Sequence, residues 1–324
     1  MKPLLPEHGG PDGGPAVAHD FSTNANPLGP PPALMQAVQQ ADRRAYPDPH
    51  YRALRERLGH GERVLPTAGG AEGIRRLTLA ALLTGRREVW VPQPGFGDYA
   101  LAAQVLGLPV RPYARVDDIR PRAPPLVWLC DPCNPTGEAV ERWPDLPEAL
   151  VVVDQAYAPL RLHGEPPALP PGTWQLVCPN KALGLTGVRA GYLVAPGTDA
   201  VWGQALSLAP SWVLSAEGVA LLTHWLDDDT QAWLAHARTT LHGWGAAQRA
   251  LLAGQGWEQR TSCTPFWLAR PPRGDLLPRL RERGVQLRDA TSFGLPGWVR
   301  VSTQPPASQQ ALQLALLDIE GEDA

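Results

Sequence analysis

Residues 126–157 read LVWLCDPCNPTGEAVERWPDLPEALVVVDQAY. Two short apolar runs, Leu126–Leu129 and Leu150–Val153, each close on a polar turn, and runs of this length bounded by turn residues predict strands. Working outward, a helix is predicted over Glu72–Leu83, a strand over Glu88–Val91 and a helix over Tyr99–Leu106, with a further strand at Gly191–Val194. This alternation predicts an α/β architecture, layered around a mostly parallel central sheet. Beyond Pro210, apolar residues at Leu214, Val219, Leu222, Trp225, Leu226, Trp233 and Leu241 recur at helical spacing, so one or two long helices should leave the large domain. The remainder, with strands at Phe266–Ala269 and Trp298–Val301 and helices at Leu276–Arg283 and Ser308–Leu317, predicts a small α+β domain. Three units are therefore expected. An N-terminal arm, residues 1–45, carries a short helix at Ala33–Ala41 and packs with the small domain; a large domain spans 46–210; an interdomain helix and small C-terminal domain span 211–324.

The chain has 324 residues with 44% hydrophobic composition, enough to bury a core. Its 32 glycines and 37 prolines are interspersed with apolar runs, so a folded chain is expected. A net charge of −3 with interleaved signs offers no basic tract, and nucleic acid is not an expected partner. No apolar stretch approaches the roughly 20 residues that span a bilayer. The start MKPLLPEHGG lacks the apolar centre of a signal peptide, and a cytoplasmic location is expected. Cys130, Cys133, Cys178 and Cys263 are too few and too unevenly spaced for a disulfide framework. Cys130 and Cys133 form a CxxC, but no second ligand pair at matching spacing accompanies it, so small residues at a strand end are expected rather than a metal site.

Chemistry first shows in the cations. The chain has 27 arginines and only two lysines, Lys2 and Lys181. Arginine stays protonated and forms no imine at neutral pH, whereas a lysine amine can lose its proton and attack a carbonyl, so Lys181 is a candidate nucleophile, the alternative being a retained surface lysine. Asp154 ends a predicted strand, where open α/β sheets bind ligands; its blander reading is a cap or turn carboxylate. Asn134 in DPCNPTG and Tyr157 beyond Asp154 can donate to a ligand oxygen, though a turn rich in Asn, Pro and Gly is ordinary by itself. Gly69, Gly70 and Ala71 precede a helix, and small residues at a helix start leave backbone N–H groups open to phosphate. Phe96, in PQPGFGDY, can stack on a ring or simply fill core.

Taken together and in order, GGAEGI (69–74), PGF (94–96), NPTG (134–137), VVVDQAY (151–157) and NKALGLTGVRAGY (180–192) resemble the class I/II aminotransferase family over nearly the whole chain. The resemblance implies an aspartate-aminotransferase-like fold and pyridoxal 5'-phosphate as cofactor, held as a Schiff base on Lys181. It also implies a pyridinium partner in Asp154, phenolate contacts from Asn134 and Tyr157, and stacking by Phe96. Phosphate contacts would come from the Gly70 and Ala71 backbone, from Arg189, and from Tyr46 in AYPDPHY reaching into the neighbouring subunit of a homodimer. Two positions depart from the family pattern. Where relatives commonly carry hydroxyls one and three residues before the lysine, this chain has Asn180, which still donates a hydrogen bond, and Cys178, which does so poorly; weaker cofactor affinity is expected.

Two branches of the family that act on phosphorylated substrates are most similar: L-threonine-O-3-phosphate decarboxylase of cobalamin biosynthesis, a lyase, and histidinol-phosphate aminotransferase. HGG at 8–10 with DFSTNANPLGPP at 20–31 resembles the opening of the decarboxylase, and LRDATSFGLPGWVRVS at 287–302 resembles an arginine pair that both branches share. The expected substrate contacts are His8, Asn26, Arg288 and Arg300, the arginines clamping a phosphate and a carboxylate. Decarboxylation of a phosphorylated amino acid is thus expected ahead of transamination, with a catalytically silent binding domain as a third reading.

Overall fold

A computed structural model describes residues 8–323. Its largest element is a seven-stranded sheet, ordered Val64–Thr67, Gly191–Val194, Trp174–Val177, Leu150–Asp154, Pro125–Cys130, Glu88–Pro92 and Val110–Tyr113. Only Gly191–Val194 runs against its neighbours; the other pairings are parallel. Every residue of Pro125–Cys130 is buried, as a central strand covered on both faces requires. The parallel strands deliver the turns after Thr67, Pro92, Cys130, Asp154 and Val177 to one edge of the sheet, the edge where such sheets bind ligands. The reversed strand starts there, and so brings Arg189 to the same edge.

Three strands of this sheet escape the sequence reading: Val64–Thr67, Trp174–Val177 and Val110–Tyr113. The first and last are the two outermost strands and contain Pro66 and Pro112, which break the apolar pattern; proline lacks the N–H a central strand needs and is tolerated at an edge. Trp174–Val177 is four residues long and follows a proline-rich stretch, too short for periodicity to register.

A four-stranded antiparallel sheet, ordered Arg288–Asp289, Val299–Ser302, Phe266–Arg270 and Glu258–Gln259, forms a second core with Trp267, Leu280, Leu312 and Ile319. The 27-residue helix Asp228–Gly254 joins the two sheets. Near its end the buried Gln248 donates to the Ser302 carbonyl at 3.0 Å and accepts from the Gln304 N–H at 2.9 Å. The arm adds a strand of its own, His19–Asp20, parallel to Val285–Gln286. Phe21, fully buried, accepts the Ser302 N–H through its carbonyl. Among the described residues no helix is long and apolar enough to cross a membrane.

Candidate active site

The turns at the shared edge of the large sheet surround a cavity of about 340 Å³. Lys181, Asp154, Tyr157, Asn134, Phe96 and Asn180 line it, together with Gly70, Ala71 and Arg189. Lys181 sits in a tight turn after Trp174–Val177, where its carbonyl accepts the N–H of Asn26 at 2.9 Å and its Nζ lies 5.0 Å from the centre of the Tyr157 ring. Burial pulls the Lys181 ammonium down, but Tyr157, Cys178 and Asp154 nearby outweigh it and leave the group above its ordinary value.

Asp154 is the last residue of its strand and is buried. Its Oδ2 accepts the Tyr99 hydroxyl at 2.6 Å and its Oδ1 accepts the Ala156 N–H at 2.9 Å. The cap-like reading of this aspartate is therefore realised by one oxygen, while the carboxylate as a whole still lines the cavity. Burial pushes its carboxyl above the usual range; Tyr99, the Ala156 N–H and Lys181 counter this only in part. No salt bridge reaches Asp154 among the described residues. A buried carboxylate held this way gains from a cation brought into the cavity.

In the sequence Tyr99 reads only as the start of a helix. It lies one helical turn beyond Phe96, stacks on Trp128 with ring centres 5.0 Å apart, and is fully buried. The i, i+3 spacing from Phe96 was the available signal.

At the opposite end, Gly69 has φ +87° and the helix Gly70–Leu83 begins immediately after it. The Arg189 guanidinium lies against Gly69 so closely that a Cβ there would collide with it. Open N–H groups at a helix start with an arginine alongside make an anion site. Cys178 borders this end, and burial pushes its thiol up to about 12, so it brings no charge. Asn180 Oδ1 is buried without a hydrogen-bond partner.

The remaining wall comes from the arm and the small sheet. Arg288 and Arg300 are direct register partners on antiparallel strands, and both are buried. Side chains so paired stand roughly 4.5–5.5 Å apart at Cβ, and like charges there repel. Arg288 donates to the Asp289 carbonyl and to Ser292 Oγ, both at 2.6 Å. Arg300 donates to Asn134 Oδ1 and to the Ser22 carbonyl, both at 2.6 Å, which leaves the Asn134 amide N–H groups for the cavity. Burial, then Arg288, pushes the Arg300 guanidinium down to about 10, against the pull of Tyr157 and Asp20. Among the described residues no carboxylate pairs with Arg300.

His8 sits at the mouth with its ring 5.8 Å from that of Phe96, and Gly9 and Gly10 follow along the wall. One expected contact is corrected. Asn26 does not line the cavity: its Nδ2 donates to the Ala182 carbonyl at 2.9 Å and its Oδ1 accepts the Leu28 N–H at 3.1 Å, so the side chain is spent on holding the lysine turn. Asn24, two residues earlier, lines the wall instead and donates to the Tyr157 hydroxyl at 3.3 Å. Tyr46 lies outside the cavity, 76% exposed and stacked on Trp212 at 4.2 Å.

The family model described as aminotransferase class I and II matches residues 18–317. The chain belongs to this family. It is 31% identical to a histidinol-phosphate aminotransferase of Natronomonas pharaonis over 313 residues, covering 87% of this chain and 85% of that protein. Among solved structures it resembles L-threonine-O-3-phosphate decarboxylase from Porphyromonas gingivalis, with TM-score 0.78, 23% identity and coverage of 93% and 99% of the two chains. It is equally similar to histidinol-phosphate aminotransferase from Sinorhizobium meliloti in complex with pyridoxal-5'-phosphate, with TM-score 0.78, 23% identity and coverage of 95% and 92%. At this identity the two structures establish the aspartate-aminotransferase-like fold. Class I and II aminotransferases use pyridoxal phosphate, and this chain is an enzyme that uses it too. The cavity fits that group: a lysine amine beside a tyrosine, a buried carboxylate in want of a cation, and a helix start with an arginine alongside.

Proposed function

We propose that the enzyme acts on a phosphorylated amino acid, with decarboxylation of L-threonine-O-3-phosphate, a step of cobalamin biosynthesis, as its reaction. The observation that carries this reading is the Arg288–Arg300 register pair, two buried cations side by side facing the cavity. Two guanidinium groups in one cavity wall offer charge-assisted donors to a substrate with two anionic groups, Arg300 taking the carboxylate and Arg288 the phosphate. The arm favours the decarboxylase branch. Gly9 packs so tightly on Arg300 and the Ser22 carbonyl that any Cβ would displace one of them, and Gly10 donates its N–H to Ser22 Oγ at 2.8 Å. The HGG segment is thereby held over the arginines, with His8 able to add a donor to the phosphate.

When bound, pyridoxal phosphate supplies an electron sink for the bond broken at the substrate Cα. In this reading Asp154, held by Tyr99, would keep the pyridine nitrogen protonated, and Lys181 would hold the cofactor and supply a proton at the substrate Cα. Asn134 and Tyr157 would hold the ring oxygen, Phe96 would cover the ring, and the Gly70–Ala71 N–H groups, Asn180 and Arg189 would hold the cofactor phosphate. Where Arg300 places the carboxylate decides whether that group or a Cα proton leaves. The exposed Tyr46–Trp212 stack supports a homodimer in which Tyr46 serves the partner's phosphate, and four free cysteines accord with the cytoplasm.

A second reading, histidinol-phosphate aminotransferase, is favoured by the name of the 31%-identical relative. The test incubates enzyme with threonine phosphate alone, and with histidinol phosphate plus 2-oxoglutarate. Carbon dioxide without glutamate is the expected result; glutamate formation supports the second reading, and turnover of unphosphorylated amino acids alone overturns both.

A further inference from the structure

Cys130 and Cys133 close the strand Pro125–Cys130 and its turn, and none of the chemistry above uses them. Both line a second, open groove of about 920 Å³ that contains none of Lys181, Asp154 or Tyr157. Cys130 lines the active-site cavity as well, so it stands in the wall between the two spaces. Cys133 is half-buried and its thiol donates to the Pro94 carbonyl at 3.8 Å, while the Cys130 thiol donates to the Pro132 carbonyl at 3.4 Å. Tyr99, which lines the active-site cavity together with Cys130, donates to Asp154 at 2.6 Å. Cys130 and Asp154 are also register partners on adjacent strands. Cys130 thus stands between an open groove and the carboxylate of the cofactor site. The turn between the cysteines is tied to both domains: Asp131 pairs with the buried Arg161 at 2.5 Å, and Asn134 accepts Arg300 at 2.6 Å. Cys263, which also faces the groove, is engaged elsewhere, its sulfur accepting from Arg161 at 3.6 Å.

We propose that Cys130 and Cys133 are a redox-responsive dithiol, oxidised by a small-molecule disulfide that enters the groove, and that the resulting disulfide slows the enzyme by drawing on the turn that carries Asn134. The more accessible Cys133 sulfur, as thiolate, attacks one sulfur of the disulfide, forms a mixed disulfide and releases one thiolate. The Cys130 sulfur then loses its proton to water and displaces the second thiolate, closing the Cys130–Cys133 bond. The two protein thiols give up two electrons, and the small disulfide takes them up as two thiols. The neighbouring Cys133 thiol and burial hold Cys130 well above the ordinary thiol range, so the second step is slow at neutral pH and quickens as pH rises. Closing the bond takes the Cys130 S–H from the Pro132 carbonyl and alters the residue that is the register partner of Asp154, so the environment of the cofactor ring changes with it.

The test treats the cofactor-loaded enzyme with glutathione disulfide, alkylates the remaining thiols and maps them by mass spectrometry, while the visible cofactor band and turnover are followed. The expected result is a Cys130–Cys133 disulfide, a shifted band and turnover lowered about tenfold, roughly the weakening of one charge-assisted hydrogen bond, all reversed by dithiothreitol. Cys133→Ser should keep its basal rate and resist every one of these changes, and Cys130→Ser should stop at a glutathione adduct on Cys133. Free thiols throughout, a disulfide to Cys263 or Cys178, or a Cys130–Cys133 disulfide that leaves both band and rate unchanged overturns the proposal. Thiol mapping and band position do not depend on the substrate, so they read separately from the test of the reaction.

Discussion

The two walls of the active-site cavity are built differently. The cofactor wall is the edge of one sheet, where successive parallel strands set down Gly70, Phe96, Asn134, Asp154 and Lys181 in chain order. The substrate wall is assembled from segments far apart in sequence, residues 8–24 of the arm and residues 288–300 of the small sheet, joined through the pairing of His19–Asp20 with Val285–Gln286 and the Ser22–Arg300 hydrogen bond. A single rigid edge suits chemistry that must not vary, and an assembled wall can change its substrate without disturbing that edge.

If this division holds, lesions in the cofactor wall act on the rate with any substrate, and lesions in the substrate wall act on selectivity. Lys181→Ala carries the largest expected effect, complete loss of turnover and of the covalent cofactor link. Borohydride reduction followed by peptide mapping should label Lys181, and a label on Lys2 would sink the assignment. Asp154→Ala should retain cofactor but lose on the order of 10²- to 10³-fold in rate, with Asp154→Glu losing less; near-normal turnover in the alanine variant would reduce the residue to its cap contact with Ala156. On the other wall, Arg288→Ala should lower kcat/KM for the phosphorylated substrate by about 30- to 1,000-fold, the cost of roughly 2 to 4 kcal/mol for one charge-assisted donor. Its effect on an unphosphorylated analogue should be slight, and an equal loss on both substrates would break the comparison. Gly9→Ala is expected to do least: by crowding Arg300 and Ser22 it should raise KM about tenfold while the cofactor dissociation constant, read from the visible band, stays put.

The cofactor wall was also the more legible of the two. Strands ending at Cys130 and Asp154 announce themselves because buried central strands are continuous apolar runs closed by turn residues, and Lys181 stood out against a background of arginine. The substrate wall depends on register. That Arg288 faces Arg300 follows from the pairing of two short strands across a loop, which no local pattern encodes. Asn24 and Asn26 illustrate the same limit at close range: both lie in one arm segment, and only the tertiary path of the arm sends the first to Tyr157 and the second to the backbone of Ala182 and Leu28. Tyr99 is invisible for a further reason. A tyrosine in an apolar helix reads as core, and its second duty depends on a carboxylate 55 positions away.

The outermost strand Val110–Tyr113 bears on how the protein behaves in a crowded solution. On this strand Arg111 and Pro112 are exposed: one places a charge where a foreign strand would dock, and the other interrupts the row of N–H donors that such a strand would need. Pro112 thus works as a guard against intermolecular sheet growth, and replacing it with valine would give a chain that folds as before and precipitates sooner.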